Sequence, residues 1–401
     1  MASNKTGQSR PGKLERNIVA QKLSLIPPSG IRKFFDLLSS MEGVISLGVG
    51  EPDFITPWNI CEAAIYSIEK GQTMYTSNQG MPELRQELSR HLEKLYGVHY
   101  NPATEILITV GVSEGLDLAL RAVLDPGDEV IIPDPCYVAY SPVTVLAGGV
   151  PVLIPTSVEN GFRLPAPSVK ARITPKTKAI ILGYPANPTG AVMSRKELSD
   201  IKELARLNNL TVISDEVYAR LVYDGTHTCY PSLPGAKEHS VLLGGFSKAY
   251  AMTGWRIGYA AGPAEIIAAM TKIHQYTMLC ASTMGQQAAL EALKGSERDV
   301  KEMVADYNRR RRVMVKGLCS IGLDCHEPEG AFYAFPSIKA TGLSSEEFAE
   351  ELLKEEKVAV VPGTAFGACG EGHIRCCYAT SLEEIHEAIR RMGRFVGKHS
   401  K

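Results

Sequence analysis

Val241-Leu-Leu-Gly-Gly-Phe-Ser-Lys-Ala-Tyr-Ala-Met-Thr-Gly-Trp-Arg256 opens on an apolar run and ends on an arginine that follows Lys248. Residues 241–243 have the composition of a buried strand, and they deliver Lys248 to a turn rich in Gly and Ser. Most lysines are solvated surface groups, and that is the simpler account of this stretch taken alone. A lysine held at a strand end, desolvated and beside a second cation, gives up its charge more readily and becomes able to form a Schiff base. Three segments upstream supply the rest of such a site.

Working outward, short β-branched runs alternate with helical patterns. Strands are expected at 105–110, 129–132, 150–154, 179–182, 211–214, 241–243 and 257–260, with helices such as 115–123, 195–208 and 263–274 between them. This alternation is the mark of an α/β fold with a mostly parallel central sheet flanked by helices, which binds ligands at the carboxyl ends of its strands. Past residue 300 the order changes to a long helix (297–318), a strand (331–335), a helix (344–355), a strand (358–361) and a final helix from Ser381. That is a smaller α+β domain. The expected division is a large domain at 47–296, a small domain made of 14–46 plus 297–401, and a flexible tail at 1–13.

Composition narrows the partners. With 401 residues, 44% apolar and 22% charged, the chain is an ordinary globular one, long enough for two domains. Its formal charge of -1 gives no reason to expect nucleic acid or an anionic membrane. The one basic run, Arg309 to Arg312, reads as a solvated helix face. Nine cysteines, odd in number and without a Cys-x-x-Cys pair, point to reduced thiols and a cytoplasmic protein. Cys376 and Cys377 read as small strand residues on opposite faces. The histidines lack metal-ligand spacing, so no metal is expected. The start of the chain is polar, and no run approaches a membrane span.

The chemistry lies in the turns after the strands. Gly111-Val112-Ser113 opens a helix, where free backbone donors and the helix dipole suit a phosphate; an ordinary glycine turn is the alternative. Tyr137, in Pro133-Asp-Pro-Cys-Tyr137, either stacks on a flat heteroaromatic ring or is a core tyrosine. Asn187, in Tyr184-Pro-Ala-Asn-Pro-Thr-Gly190, is held by a tight turn, and turn formation alone explains it equally well. Asp215 directly follows a buried strand, which is costly without a cation nearby. Tyr218 lies on the same side if a helical turn starts there. Taken together the set describes pyridoxal 5'-phosphate: phosphate on Gly111, Val112, Ser113, Ser247 and Arg256; ring on Tyr137; ring nitrogen facing Asp215; 3-hydroxyl on Asn187 and Tyr218; and an imine to Lys248.

Asn187-Pro-Thr-Gly190, Ser214-Asp-Glu-Val-Tyr218 and the stretch from Ser247 to Arg256 resemble the fold-type I, class I/II aminotransferases. So do Gly50-Glu-Pro-Asp-Phe54, Ile374-Arg375 and Tyr378-Ala-Thr380. The similarity spans about residues 25 to 395 and is nearest the subgroup with bacterial and archaeal aspartate, aromatic and acyl-diaminopimelate enzymes. It implies ping-pong transfer of an amino group from an L-amino acid, aspartate or aromatic first, to a 2-oxo acid, with 2-oxoglutarate expected. Lys248, Asp215 and Tyr218 would be catalytic. Arg375, helped by Asn187 and the backbone of Gly50, would bind the substrate α-carboxylate; a surface ion pair is the alternative. Tyr75 would reach the phosphate of a neighbouring subunit, which makes the active unit a homodimer with a shared site. Arg32 is a candidate for the distal side chain, with a salt bridge inside the small domain as the alternative. A β- or γ-lyase on the same fold, or a non-catalytic cofactor-binding regulator, are the competing functions.

Overall fold

Seven apolar runs between residues 105 and 262 are each too short to bury themselves, and they pair into one sheet covered on both faces by helices. The computed structural model describes residues 18–27 and 41–399. In chain order the strands are β1 (Ile45–Ser46), β2 (Ile106–Thr109), β3 (Glu129–Asp134), β4 (Val150–Pro155), β5 (Thr177–Gly183), β6 (Thr211–Asp215), β7 (Ser240–Gly245) and β8 (Gly258–Ala261), then β9 (Tyr333–Ala334), β10 (Val358–Ala359), β11 (Val361–Pro362) and β12 (Ile374–Cys377). The large sheet has the order β2-β8-β7-β6-β5-β3-β4. Strands β4, β3, β5, β6 and β7 run parallel, while β8 is antiparallel to both of its neighbours. The start of β8, just after Arg256, therefore lies at the same edge as the carboxyl ends of the others.

Strand side chains alternate between two cores, as the pleat requires. Ile131, Ile180 and Val212 point to one side, against Leu198, Ile201 and Ala205 of the helix Arg195–Leu207. Val130, Ile132, Ile181 and Ile213 point to the other, against Leu116 and Leu120 of the helix Gly111–Val123. The first of these helices starts where the sequence predicts, because Ser194 and Glu197 cap each other's backbone amides. The second starts at Gly111, four residues before the expected position, so the presumed phosphate turn is itself the first helical turn.

The smaller layer has a three-stranded antiparallel sheet, β11-β12-β9, and the parallel pair β1-β10. The expected strand at 358–361 is thus split between two sheets about the buried Val360. Helices Glu297–Ser320, Ser345–Glu356 and Leu382–His399 cover it; Ile385, Ala388, Met392 and Phe395 give the last of these its buried stripe. Cys376 and Cys377 are both buried in β12, and all nine thiols are free. Among the described residues no helix is long and apolar enough to cross a membrane. We propose a boundary between the two layers near residue 296, where the helix Thr283–Gly295 gives way to Glu297–Ser320.

Among the described residues of the segment 14–46, Gln21–Leu25 lies beside the helix Tyr140–Leu146, with Lys22 Nζ donating to the Leu146 carbonyl at 3.1 Å, and Ile45–Ser46 pairs with β10; we propose that the segment is shared between the two layers. One expectation needs correction. The arginine run is not a solvated face, because the long helix turns two of the four inward. Arg310 forks onto both oxygens of Asp53 at 2.7 and 2.8 Å and also meets Asp306 at 2.7 Å. Arg311, 2% exposed, holds Asp224 at 2.8 Å and the Pro328 carbonyl at 2.8 Å. Both are ties between this helix and loops at the layer junction.

Removing Arg310 leaves Asp53 unpaired, while Asp306 keeps Arg309. Arg310→Met is expected to lower the denaturant-unfolding stability by about 2 kcal/mol, less than for a fully buried pair because Asp53 is partly solvated. An unchanged midpoint at equal m-value would show the tie to be energetically idle.

Candidate active site

At the shared strand edge, between the two layers, lies a cavity of about 560 Å³ whose lining includes Ser113, Tyr137, Asn187, Asp215, Lys248 and Arg256. Gly50, Val112, Tyr218, Ser247 and Arg375 line it too. Strand polarity explains the gathering. Strands β2, β3, β5, β6 and β7 each end at this edge and place a functional residue at their end or in the following turn, while Arg256 lies just before reversed β8.

Asp215 is the last residue of β6 and is buried. Its Oδ2 accepts from the Tyr140 hydroxyl at 2.9 Å and its Oδ1 from the Val217 amide at 3.2 Å. Burial still pushes its pKa up to about 6, against the pull of those two hydrogen bonds. Lys248 Nζ donates to the Gly50 carbonyl at 2.6 Å. Burial lowers its pKa to about 8; Cys377 and Glu51 oppose this, and Arg375 and then Arg256 assist it. The nearby cation that the sequence suggested is therefore a minor cause beside desolvation. An aldehyde or ketone brought to this amine would meet a nucleophile poised near neutral pH.

Opposite Lys248, Gly111 takes a φ of 72°, and a Cβ there would come within 2.5 Å of Arg256 Nη2. Glycine thus lets the guanidinium close on the helix start. Arg256 Nη1 donates to the Thr253 carbonyl at 3.1 Å, and no carboxylate pairs with Arg256 among the described residues. Ser113 and Ser247 add hydroxyls to this corner. Glu114 secures the turn by accepting from the Val110 amide at 2.5 Å and facing His274 Nδ1 at 2.6 Å. Such a corner suits a dianion. Tyr137, half-buried, packs edge-on to Tyr140 at 5.6 Å and borders the same space.

Arg375, on β12, is buried with no carboxylate partner among the described residues, which removes the surface ion-pair alternative. Its Nη1 donates to Asn187 Oδ1 at 2.9 Å and its Nη2 to the Gly48 carbonyl at 2.7 Å. The ring of Tyr333 lies 4.5 Å from the guanidinium and that of Phe366 4.8 Å. The net charge is held in place but not cancelled, as a carboxylate receptor needs.

Tyr75 is 81% exposed and does not line this cavity. Arg32 lies outside the described residues. Sequence reasoning missed Tyr140, Tyr333, Gly48 and Glu51. Tyr140 follows Tyr137 by one helical turn, a spacing that would have flagged it; Tyr333 sits in a run already read as a strand, where alternation places one aromatic of Phe332-Tyr333 toward the cleft.

The chain belongs to the class I and II aminotransferases: residues 42–392 match the sequence profile described as "Aminotransferase class I and II". A Bacillus subtilis protein, named only provisionally as an aminotransferase, is 56% identical over 93% of this chain and 97% of its own length. The aspartate aminotransferase of Pyrococcus abyssi is 46% identical over 93% of this chain and 97% of its own length. The solved aromatic aminotransferase of Pyrococcus horikoshii is 44% identical, covers 92% of this chain and 99% of its own length, and superposes with a TM-score of 0.88. The family depends on pyridoxal 5'-phosphate. The residues here fit that group: a guanidinium beside a helix start with no carboxylate partner among the described residues, a buried carboxylate, and an amine of lowered pKa, all on one cleft.

Two expectations follow for the cofactor-free protein. Asp215 has a folded-state pKa above its unfolded value of 3.8, so the stability its proton contributes is full below pH 3.8 and lost as pH rises through about 6. Asp215→Asn should therefore raise the stability at pH 8 by about 1–3 kcal/mol, read from denaturant unfolding, while weakening cofactor retention. A destabilised variant would mean that the carboxylate already has a cation. Second, capture of an aldehyde at Lys248, trapped with borohydride and located by peptide mass, should rise with a midpoint near pH 8. Capture that rises only near the ordinary lysine value of 10.5 would show the amine to be solvated.

Proposed function

We propose that this aminotransferase moves the amino group of an L-amino acid, aspartate or an aromatic one, to 2-oxoglutarate in ping-pong order, the first 2-oxo acid leaving before the second enters. The carrying observation is Arg375, a buried and un-neutralised guanidinium facing the cleft that holds Lys248. The neighbouring relatives named for aspartate and for aromatic substrates are about equally similar to this chain, which supports keeping both.

Bound pyridoxal phosphate supplies an aldehyde carbon that takes up the amino group and a ring that draws charge away from the substrate's α-carbon. Gly111, Val112, Ser113, Ser247 and Arg256 bind its phosphate through amides, hydroxyls and one guanidinium. Asp215 holds a proton on the ring nitrogen; the cation there relieves the burial that now raises its pKa. Tyr137 would pack on the ring, and Asn187 and Tyr218 would donate to its hydroxyl oxygen. Lys248 Nζ would hold the cofactor, and its amine, of lowered pKa, would serve as the general base for the substrate's α-proton. Arg375 orients the substrate by its α-carboxylate, with Asn187 and the Gly50 backbone beside it. The cations lining the described cleft are Lys248, Arg256 and Arg375, so a distal carboxylate finds no dedicated partner there.

The active unit in this proposal is a homodimer in which Tyr75 of the partner subunit reaches the phosphate. Support comes from an exposed apolar patch. Thr283 Oγ1 donates to the Met74 carbonyl and Asn78 Nδ2 to the Leu279 carbonyl, which brings Met74, Tyr75, Met278 and Leu279 together.

The test is a visible spectrum of the cofactor-loaded protein titrated with single amino acids. Glutamate should bleach the band and 2-oxoglutarate restore it; the other amino acids that bleach it define the donor. Lys248→Ala should retain cofactor and lose turnover by several orders of magnitude, and a near wild-type rate in that variant would overturn the assignment.

A further inference from the structure

Tyr333 has no part in the roles assigned above, yet it touches three of the groups that do. Its hydroxyl lies 2.6 Å from that of Tyr218, with both side chains buried. Its ring lies 4.5 Å from the guanidinium of Arg375. A Cβ on Gly50 would come within 2.5 Å of the Tyr333 hydroxyl oxygen, so this hydroxyl packs directly on the residue whose carbonyl accepts from Lys248.

We propose that Tyr333 is a positioning residue: its hydroxyl sets how strongly Tyr218 donates to the cofactor's ring oxygen, and its ring holds Arg375 ready for the substrate carboxylate. The inference rests on the cofactor reading above. Each phenol has a single O–H to give. If Tyr218 spends its proton on the ring oxygen, the short contact between the tyrosines must be donated by Tyr333 and accepted by Tyr218. A hydroxyl that accepts a hydrogen bond is polarised and becomes a better donor. Burial raises the pKa of Tyr333, so it keeps the proton this duty requires. A stronger donor at the ring oxygen withdraws negative charge from it and lowers the pH at which the bound chromophore gives up its proton. The ring has a separate duty. An aromatic face fixes the plane of Arg375 without neutralising it, where a carboxylate would fix it and cancel the charge the substrate needs.

Tyr333→Phe removes the hydroxyl and keeps the ring; Tyr333→Leu removes both. The measurement is the pH titration of the visible spectrum of each holoenzyme, with the dissociation constant of a non-reacting carboxylate (maleate or 3-phenylpropanoate, whichever the wild type binds) read from the same band. In the Phe variant the spectral midpoint should rise by about half to one pH unit with carboxylate affinity within about twofold of wild type. In the Leu variant the same rise should come with about threefold to tenfold weaker carboxylate binding. A Phe variant with an unmoved midpoint would overturn the hydroxyl's role, and one that loses as much carboxylate affinity as Leu would overturn the ring's. A wild-type protein whose band ignores both pH and amino acids would overturn the cofactor reading and this inference with it.

Discussion

Charge buried without its counter-charge governs this structure. Asp215 sits at the end of a covered strand with a tyrosine and an amide as hydrogen-bond partners and no ion pair among the described residues, Lys248 acting on it only from a distance. Arg375 is buried with carbonyl oxygens and aromatic faces but, among the described residues, no carboxylate. Taking single charges out of water is expensive, and a fold tolerates it only where neighbouring structure leaves no room for rearrangement. Here that structure is the seven-stranded sheet, whose parallel strands end at a common edge and fix the turns that follow. The two uncompensated groups are opposite in sign and open onto one cleft, so a ligand carrying both signs is what relieves them.

The cleft also depends on how the layers are joined. Arg375 belongs to the small sheet, but its polar partners, Asn187 and Gly48, lie in loops outside that sheet. The Cys136 amide donates to the Phe366 carbonyl at 2.9 Å, and Glu329 and Gly330 both donate to the Gly190 carbonyl at 2.9 Å. Each of these bonds joins the loop after a large-sheet strand to the small layer. Arg310 and Arg311 extend the same joint from the long helix. A displacement of the small layer would thus move Arg375 and the turns carrying Tyr137 and Asn187 together, which preserves their mutual geometry.

Most of the large-sheet strands were legible because they are buried on both faces, which makes each a continuous apolar run; the edge strand β4 was legible by its β-branched and apolar residues although it is largely exposed. The functional turns were legible because cofactor chemistry demands unlike residue types at successive strand ends. What was hidden depended on direction or on distant partners. Nothing in Ile257-Gly-Tyr-Ala-Ala261 reveals that β8 runs backwards, although that reversal brings Arg256 to the cleft. The four arginines at 309–312 look solvated in a polar helix, and only the positions of Asp53 and Asp224, far off in sequence, turn two of them inward. Tyr140 and Tyr333 are ordinary aromatics until Asp215 and Tyr218 are placed beside them.

Three tyrosines frame the charged groups of the cleft. With Asp215 raised to about 6 and Lys248 lowered to about 8, both groups stay mostly charged at pH 7 but lie within reach of a change of protonation state. Phenols adjoin each of them and Arg375: Tyr140 donates to Asp215, while Tyr218 and Tyr333 flank Lys248 and Arg375 by their rings. A phenol satisfies a lone pair or covers a cation without fixing the charge state of its neighbour, which a lysine or a carboxylate in the same place would do. The protonation states are therefore left for the bound cofactor to set. A cation brought to Asp215 and an anion brought to Arg256 each convert an electrostatic cost of the empty fold into binding free energy. Through that linkage the loaded protein is more stable than the empty one by an amount that grows with cofactor concentration.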